Sequence, residues 1–314
     1  MYRKWKKSVN IFLAIALLEI LFFLPSYFQQ KGYALKDFIL PLYRQSSAVD
    51  QTSENSKAEA EAPFTVYQET TLVGSFEDAR EAIAIAKAMS PQMNVKVQTR
   101  ESLIWRNFEA EPKTRQLSIV QAPHISQLPE LPRGCEVTAL AMLLNYNGYA
   151  VDKMQLASEL VKDTTPRTSD DKNNTWWGNP YKGFVGNMYD VREPGFGVFH
   201  PPIEALARTY AGERVVNLST LDFDDILQFV ESGYPVWVIV TRTYQHDNTR
   251  NLNWMTPDGP IHTTRNEHSV LLTGYDGKYV YFLDPLKQGE TSKKSRVSFE
   301  AGWKQLGNQA ITIL

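Results

Sequence analysis

The stretch EHSVLLTGYDGKYVYFLDP, Glu267–Pro285, holds two apolar runs rich in strand-forming residues on either side of Asp276-Gly277-Lys278. An acidic residue followed by glycine between two such runs is a strong signal for a tight β-hairpin. The pair is therefore antiparallel, which decides the fold class. Upstream, PVWVIVT (Pro235–Thr241) reads as another strand, and Arg242 to Asn266 reads as a long polar loop. Helical patterns come earlier still. One begins near Cys135, with Val137, Leu140, Ala141 and Leu144 on one face, and a second follows Asp152. A third is opened by Pro201-Pro202, as proline in a first turn allows. Helices first and an antiparallel sheet later give an α+β fold rather than a doubly wound sheet.

The hairpin also brings two polar residues together. His268 starts its first strand and Asp284 ends its second, each about eight residues from the centre of the turn. An acid ending one strand beside a histidine starting its neighbour is the geometry that orients an imidazole base. The plain alternative is an edge-strand histidine and a strand-ending Asp-Pro turn.

A histidine base needs a nucleophile, and the chain has one cysteine, in LPRGCEVTALAMLLNYNGY, Leu131–Tyr149. Cys135 lies at the start of the first large helix. There the helix dipole lowers a thiol's pKa, and free backbone N–H groups can hold an oxyanion. Gly134 lets the chain turn sharply just before it. The alternative is a buried structural thiol. Of the other histidines, His124 lies in a loop, His200 at a helix entry, and His246 and His262 in the polar loop. Cys135 and His268 are separated by 133 residues, similar to the spacing in papain-type enzymes.

Three blocks in order, QLPELPRGCEVTALAMLLNYNGY, NPYKGFVGNMYD…PGFGVFHPPIEALA and EHSVLLTGYDGKYVYFLDP, resemble a family of exported bacterial cysteine peptidase-like proteins. That family is related to the double-glycine leader peptidases of bacteriocin exporters, within the papain-like superfamily. The resemblance covers Ile119 to Pro285 and implies a papain-like fold, with the cysteine-bearing helix packed on an antiparallel sheet. It implies Cys135 as nucleophile, His268 as base and Asp284 as orienter. Gln127 is the candidate for the oxyanion-hole glutamine, although it stands eight residues before the cysteine rather than six. Glu136 stands where leader peptidases carry glycine. Trp176, Trp177 and Gly183 are candidate walls of a substrate groove, with loop-pinning aromatics as the alternative.

The rest of the chain sets the context. Of 314 residues, 43% are hydrophobic, and the net charge of −2 gives no global field for nucleic acid. Residues 1–28 place Arg3, Lys4, Lys6 and Lys7 ahead of an apolar run, the pattern of a signal anchor or a signal peptide. Residues 29–63 include a polar tether. Residues 64–115 read as a small accessory β-α-β-β unit, in which Ser75 and Asp78 resemble a capping box, and residues 116–314 form the main domain. Asp170-Asp171 lacks the spacing of a calcium loop, so no metal site is assigned.

The expectation is a bacterial cell-surface cysteine peptidase (a thiol hydrolase), transmembrane through its N-terminal helix or secreted if that helix is cleaved. It would act on a peptide or protein substrate through a Cys-His-Asp triad, without a cofactor. A cell-wall amidase or transpeptidase with the same triad, or a non-catalytic binding module on this fold, are the alternatives.

Overall fold

In the computed structural model, the described residues are 62–89, 94–108, 118–172, 174–289 and 291–314. The expected N-terminal apolar segment at 1–28, almost all of the tether at 29–63, and the boundary near 115 lie outside them. No helix among the described residues is long and apolar enough to cross a membrane.

The N-terminal unit contains β1 (Phe64–Gln68), β2 (Thr71–Phe76), α1 (Ala79–Met89), β3 (Val95–Gln98) and β4 (Leu103–Arg106), in sheet order β2-β1-β3-β4. It is thus ββαββ, one strand richer than expected. β2 escapes sequence reading because most of it is exposed or half-exposed and only Phe76 is buried. α1 buries Ala79, Ala82, Ile83 and Ala86, the face its spacing dictates. Its start is one turn later than the Ser75 capping box implies. Ser75 is part of β2, and Asp78 caps the helix by accepting from the Arg80 N–H at 2.8 Å.

The main domain continues with β5 (Ser118–Ile119), α2 (Cys135–Tyr146), α3 (Lys153–Glu159), β6 (Lys162–Asp163), β7 (Thr168–Ser169), β8 (Thr175–Trp176) and β9 (Phe184–Val185). Then come α4 (His200–Ala211), β10 (Val215–Asn217), α5 (Phe223–Glu231), β11 (Val236–Thr241), β12 (Asn251–Thr256) and β13 (Gly259–Thr264). β14 (Glu267–Tyr275), β15 (Tyr279–Leu283), β16 (Thr291–Ser295), α6 (Arg296–Gln305) and β17 (Ala310–Ile313) complete it. The principal sheet runs β10-β17-β11-β14-β15-β16, with β5 also on β14, and every pairing in it is antiparallel. The mixed α+β class is as the sequence implied.

Both faces of this sheet are covered, which is why its central strands read as unbroken apolar runs. Trp237, Ile239 and Leu271 face α2, α3 and α4, while Val236, Val238 and Val270 face α5 and α6. α2 is buried all round from Cys135 to Leu144 rather than on one face, so it is a central helix. The ββαββ unit docks on α5 through a shared apolar cluster and through polar contacts. Trp105 Nε1 donates to Asp225 Oδ1 at 2.7 Å, and Lys87 Nζ lies 2.9 Å from Asp225 Oδ2.

The span from Arg242 to Asn266 is not a single polar loop. It contains the hairpin β12–β13, which joins β8 and β7 in a second sheet. Its strands put Trp254, Thr256 and Ile261 on one buried face with polar residues between them, and the polar majority hides the pattern.

Candidate active site

β14 is held between β11 and β15, so a side chain at its start is fixed by ladders on both sides. His268 pairs across to Val240 of β11 and is 2% exposed. The β14–β15 register sets Leu271 against Leu283. Continuing it places Asp284 opposite Val270, two residues along the same face from His268. The two side chains therefore meet diagonally rather than directly across, as counting from the turn had implied. His268 Nε2 lies 2.8 Å from Asp284 Oδ1. With Nε2–H donating to the carboxylate, Nδ1 keeps the lone pair and is the nitrogen able to take a proton.

Asp284 is more strongly held than a bare pair. Its Oδ1 also accepts from the Leu286 N–H at 2.9 Å, and its Oδ2 accepts from the Tyr244 hydroxyl. Burial works to raise its pKa, but the bonds and charge of His268, with those two donors, hold the carboxylate far below its usual range. Burial and Asp284 together push the Tyr244 phenol well above 10. Tyr244 is a member of the site that sequence reading missed. It sits in a tight turn after β11 at φ +53°, stacked on Phe299, and only the fold brings it to the hairpin. His124 pins the loop beyond: its Nε2 donates to the Asp284 carbonyl at 3.0 Å, and its Nδ1 accepts from the Gly289 N–H at 3.3 Å.

Cys135 is the first residue of α2 and is 7% exposed. No side chain caps this helix end. Gly134 is not in the left-handed region (φ −118°), so its role differs from the expected sharp turn. A Cβ there would come within 2.6 Å of Leu131 Cβ, so the glycine permits close packing of the approach loop.

The thiol's immediate partners are acidic. Cys135 Sγ donates to Glu136 Oε2 at 3.3 Å. Cys135, Glu136 and Glu267 offer ligand atoms that all lie within 4.8 Å of one another. One sulfur and two carboxylates at that spacing could hold a divalent cation. Without one, burial and mutual repulsion disfavour ionisation of both acids together. Burial raises Glu136 from 4.5 to about 7, against the pull of its own N–H, the Val198 N–H and the thiol. Burial, then the charge of Glu136, pushes Glu267 well up. Glu267 is part-exposed as a residue, yet its Oε1 is enclosed and without a hydrogen-bond partner. Burial pushes the Cys135 thiol well above its ordinary value, and the two acids add to this, with only a Ser269 backbone bond opposing. The helix start does not by itself make a thiolate here: burial and the two acids oppose the half-charge of a helix dipole.

Cys135 and His268 open onto one cleft of about 550 Å³. Gln127 lines it too. Its Nε2 donates to the Leu131 carbonyl at 2.9 Å, and its buried Oε1 has no partner. Trp177 forms part of the wall, tilted against Trp254 at 5.7 Å between centroids. Trp176 and Gly183 are placed elsewhere. Trp176 Nε1 bonds Asp170 Oδ2 at 3.3 Å, and Gly183 packs where a Cβ would meet the Asp163 amide at 2.6 Å. The Asp170 side chain caps its own turn, accepting from the Lys172 and Asn174 N–H groups.

The model of the Peptidase_C39 like family matches residues 119–311, well over half of the chain. The chain belongs to that family. It is 47% identical over 186 residues to YvpB of Bacillus subtilis (strain 168), a protein itself uncharacterized, spanning 59% of this chain and 70% of that one. A Bacillus anthracis chain, crystallised as a candidate C39-like peptidase, is 42% identical. The match has a TM-score of 0.58 and covers 63% of this chain and 98% of that one. A double glycine motif protease from an AMS/PCAT transporter, solved with its leader peptide, is also similar. It is 15% identical at a TM-score of 0.34 over 63% of this chain and 95% of that one, too distant to carry an argument.

Proposed function

We propose that this protein is a cysteine peptidase, with Cys135 as nucleophile, His268 as base and Asp284 as orienter. The observation that carries the reading is the buried 2.8 Å His268–Asp284 contact, with His268 and a cysteine at a helix start opening on one cleft. The Cys135 proton passes to His268 Nδ1, and the sulfur attacks the peptide carbonyl carbon. The oxyanion takes the Cys135 N–H and the second Gln127 amide proton. The imidazolium then protonates the leaving amine, and water hydrolyses the thioester with His268 again as base. Because the thiol is neutral at rest, this proton transfer accompanies substrate binding rather than preceding it.

The basic residues ahead of the apolar run at 1–28 support a chain anchored in a membrane with this domain on the outer side. A fusion reporter placed after residue 314, assayed for exposure to added protease in intact cells, tests that placement.

One observation favours the non-catalytic alternative: the thiol's hydrogen bond is to Glu136, in surroundings that oppose its ionisation. The rate of Cys135 alkylation by iodoacetamide against pH, in the full chain and in His268→Ala, separates the two. Alkylation that depends on His268 supports the peptidase. A profile the mutation leaves untouched ends that reading.

A further inference from the structure

The charge of the cleft points to its substrate. The sequence has 15 arginines and 18 lysines. Five arginines, Arg133, Arg167, Arg242, Arg250 and Arg265, line the cleft that holds Cys135, and no lysine does. Glu267 is the one acidic residue among the lining groups, and it sits beneath the thiol against Glu136. The chain as a whole is slightly acidic, so this clustering is local.

These guanidinium groups are not used up by the fold. Among the described residues the ion-paired arginines are Arg80, Arg106, Arg192, Arg208 and Arg296, none of which lines the cleft. Arg133 donates to the carbonyls of Asn187, Asp190 and Val191, which fixes its plane; among the described residues it makes no ion pair, and the Asp190 charge acts on it from outside salt-bridge distance. Arg167 lies over the Trp177 ring at 5.6 Å. Arg242, Arg250 and Arg265 are exposed. Their positions are set by backbone pairing. The Arg265 N–H bonds the Arg250 carbonyl at 2.8 Å, and the Arg242 N–H bonds the Asn266 carbonyl. Like charges gathered in a concavity repel one another and weaken the fold, but they focus a positive potential on whatever enters. Arginine rather than lysine is the residue that holds carboxylates in bidentate pairs.

We infer that the cleft selects peptides carrying clustered Asp or Glu side chains beside the cleaved bond. This rests on the peptidase reading for the cleavage, while the recognition of acidic peptide stands on the cleft alone. Arg133 is next but one to the nucleophile and Arg265 precedes His268 by three residues, and both line the cleft that these two residues share.

The test uses quenched fluorescent peptides with Glu-rich flanks, matched peptides with Gln in place of Glu, and the full chain. Wild type is expected to cleave the Glu peptides with kcat/KM at least about ten-fold higher, as one lost charge-assisted contact is worth roughly a factor of ten. That advantage should shrink at high salt. In Arg250→Gln/Arg265→Gln the ratio should fall toward one, whereas Arg296→Gln, outside the cleft, should keep it. The same peptides, dye-labelled, are titrated into Cys135→Ala to measure binding without turnover. Tight binding of Glu over Gln peptides there, with no cleavage by wild type, would sink the peptidase reading and leave the selectivity standing. Equal binding of Glu and Gln peptides, a selectivity that survives in the double variant, or stronger binding of inorganic polyphosphate than of the Glu peptide would overturn the inference.

Discussion

Glu136→Gln is expected to make Cys135 more reactive. Glu136 Oε2 lies 3.3 Å from the sulfur, and glutamine keeps the shape and can still accept the thiol's hydrogen bond. Two unit charges at that distance, at an effective dielectric constant of about 20, interact by roughly 5 kcal/mol. That is an upper bound, because the Val198 N–H bonds the carboxyl at 2.8 Å and the group titrates at about 7 rather than staying ionised. If about a quarter of the bound survives, the thiol pKa falls by about one unit, and alkylation at pH 8 rises about ten-fold. The assay is the iodoacetamide rate from pH 5 to 10 on wild type and variant, with cysteine consumption read by mass. A variant profile that overlays wild type, or lies below it, would refute the claim that Glu136 holds the thiol down.

The same group makes stability depend on pH. Its folded pKa is raised from 4.5 to about 7, so the native state holds a proton the unfolded chain has lost. The stability it contributes is fully present below about 4.5 and is lost as pH rises through about 7. The scale is on the order of 3 kcal/mol, and Glu136→Gln should flatten this part of the denaturation profile.

Other variants probe other parts of the site. Tyr244→Phe removes a donor to Asp284 and should lower kcat about ten-fold with little change in KM, measured on any cleaved peptide. Gly197→Ala places a Cβ 2.4 Å from Glu136 Oε1 and 2.9 Å from Glu267 Oε2; a loss of about 2 kcal/mol in urea melts is expected. Asp225→Ala strips the buried acceptor from Trp105 and Lys87, and should cost about 2–4 kcal/mol by the same melts.

The hairpin, the cysteine helix and the His268–Asp284 meeting were legible in the sequence because each rests on local chemistry: a turn, a helix start, a strand end. What was not legible depends on distant chain segments. Tyr244 reaches Asp284 across 40 residues, and the arginines of the cleft come from turns and strand ends as far apart as Arg133 and Arg265. β12 and β13 were hidden by polar residues on their outer faces, and β2 by exposure of all but its last residue. The surroundings of Cys135 were not legible for a different reason. Sequence position supplied the helix dipole, but burial and the carboxyl of Glu267, 132 residues away, act in the opposite sense.

Two acids set into the protein beside the thiol are costly. Apolar residues of similar volume often serve folding as well as buried ionisable groups do. Yet the surrounding chain is shaped to them. Gly197 leaves out the one carbon that would strike both carboxyls, and the Val198 N–H is turned onto Glu136. An acid titrating at about 7 next to a thiol, with a second acid pushed well up by burial, links the charge on that thiol's surroundings to pH. Below about 7 Glu136 is protonated, and in the proposed mechanism His268 Nδ1 can draw off the thiol proton without opposition from it. Above that value the carboxylate resists the same transfer. Peptidase activity through His268 should therefore fall on the alkaline side near pH 7, earlier than the ordinary thiol value allows, and the fall should move to higher pH in Glu136→Gln. An alkaline limb that stays in place in the variant would assign it to another group.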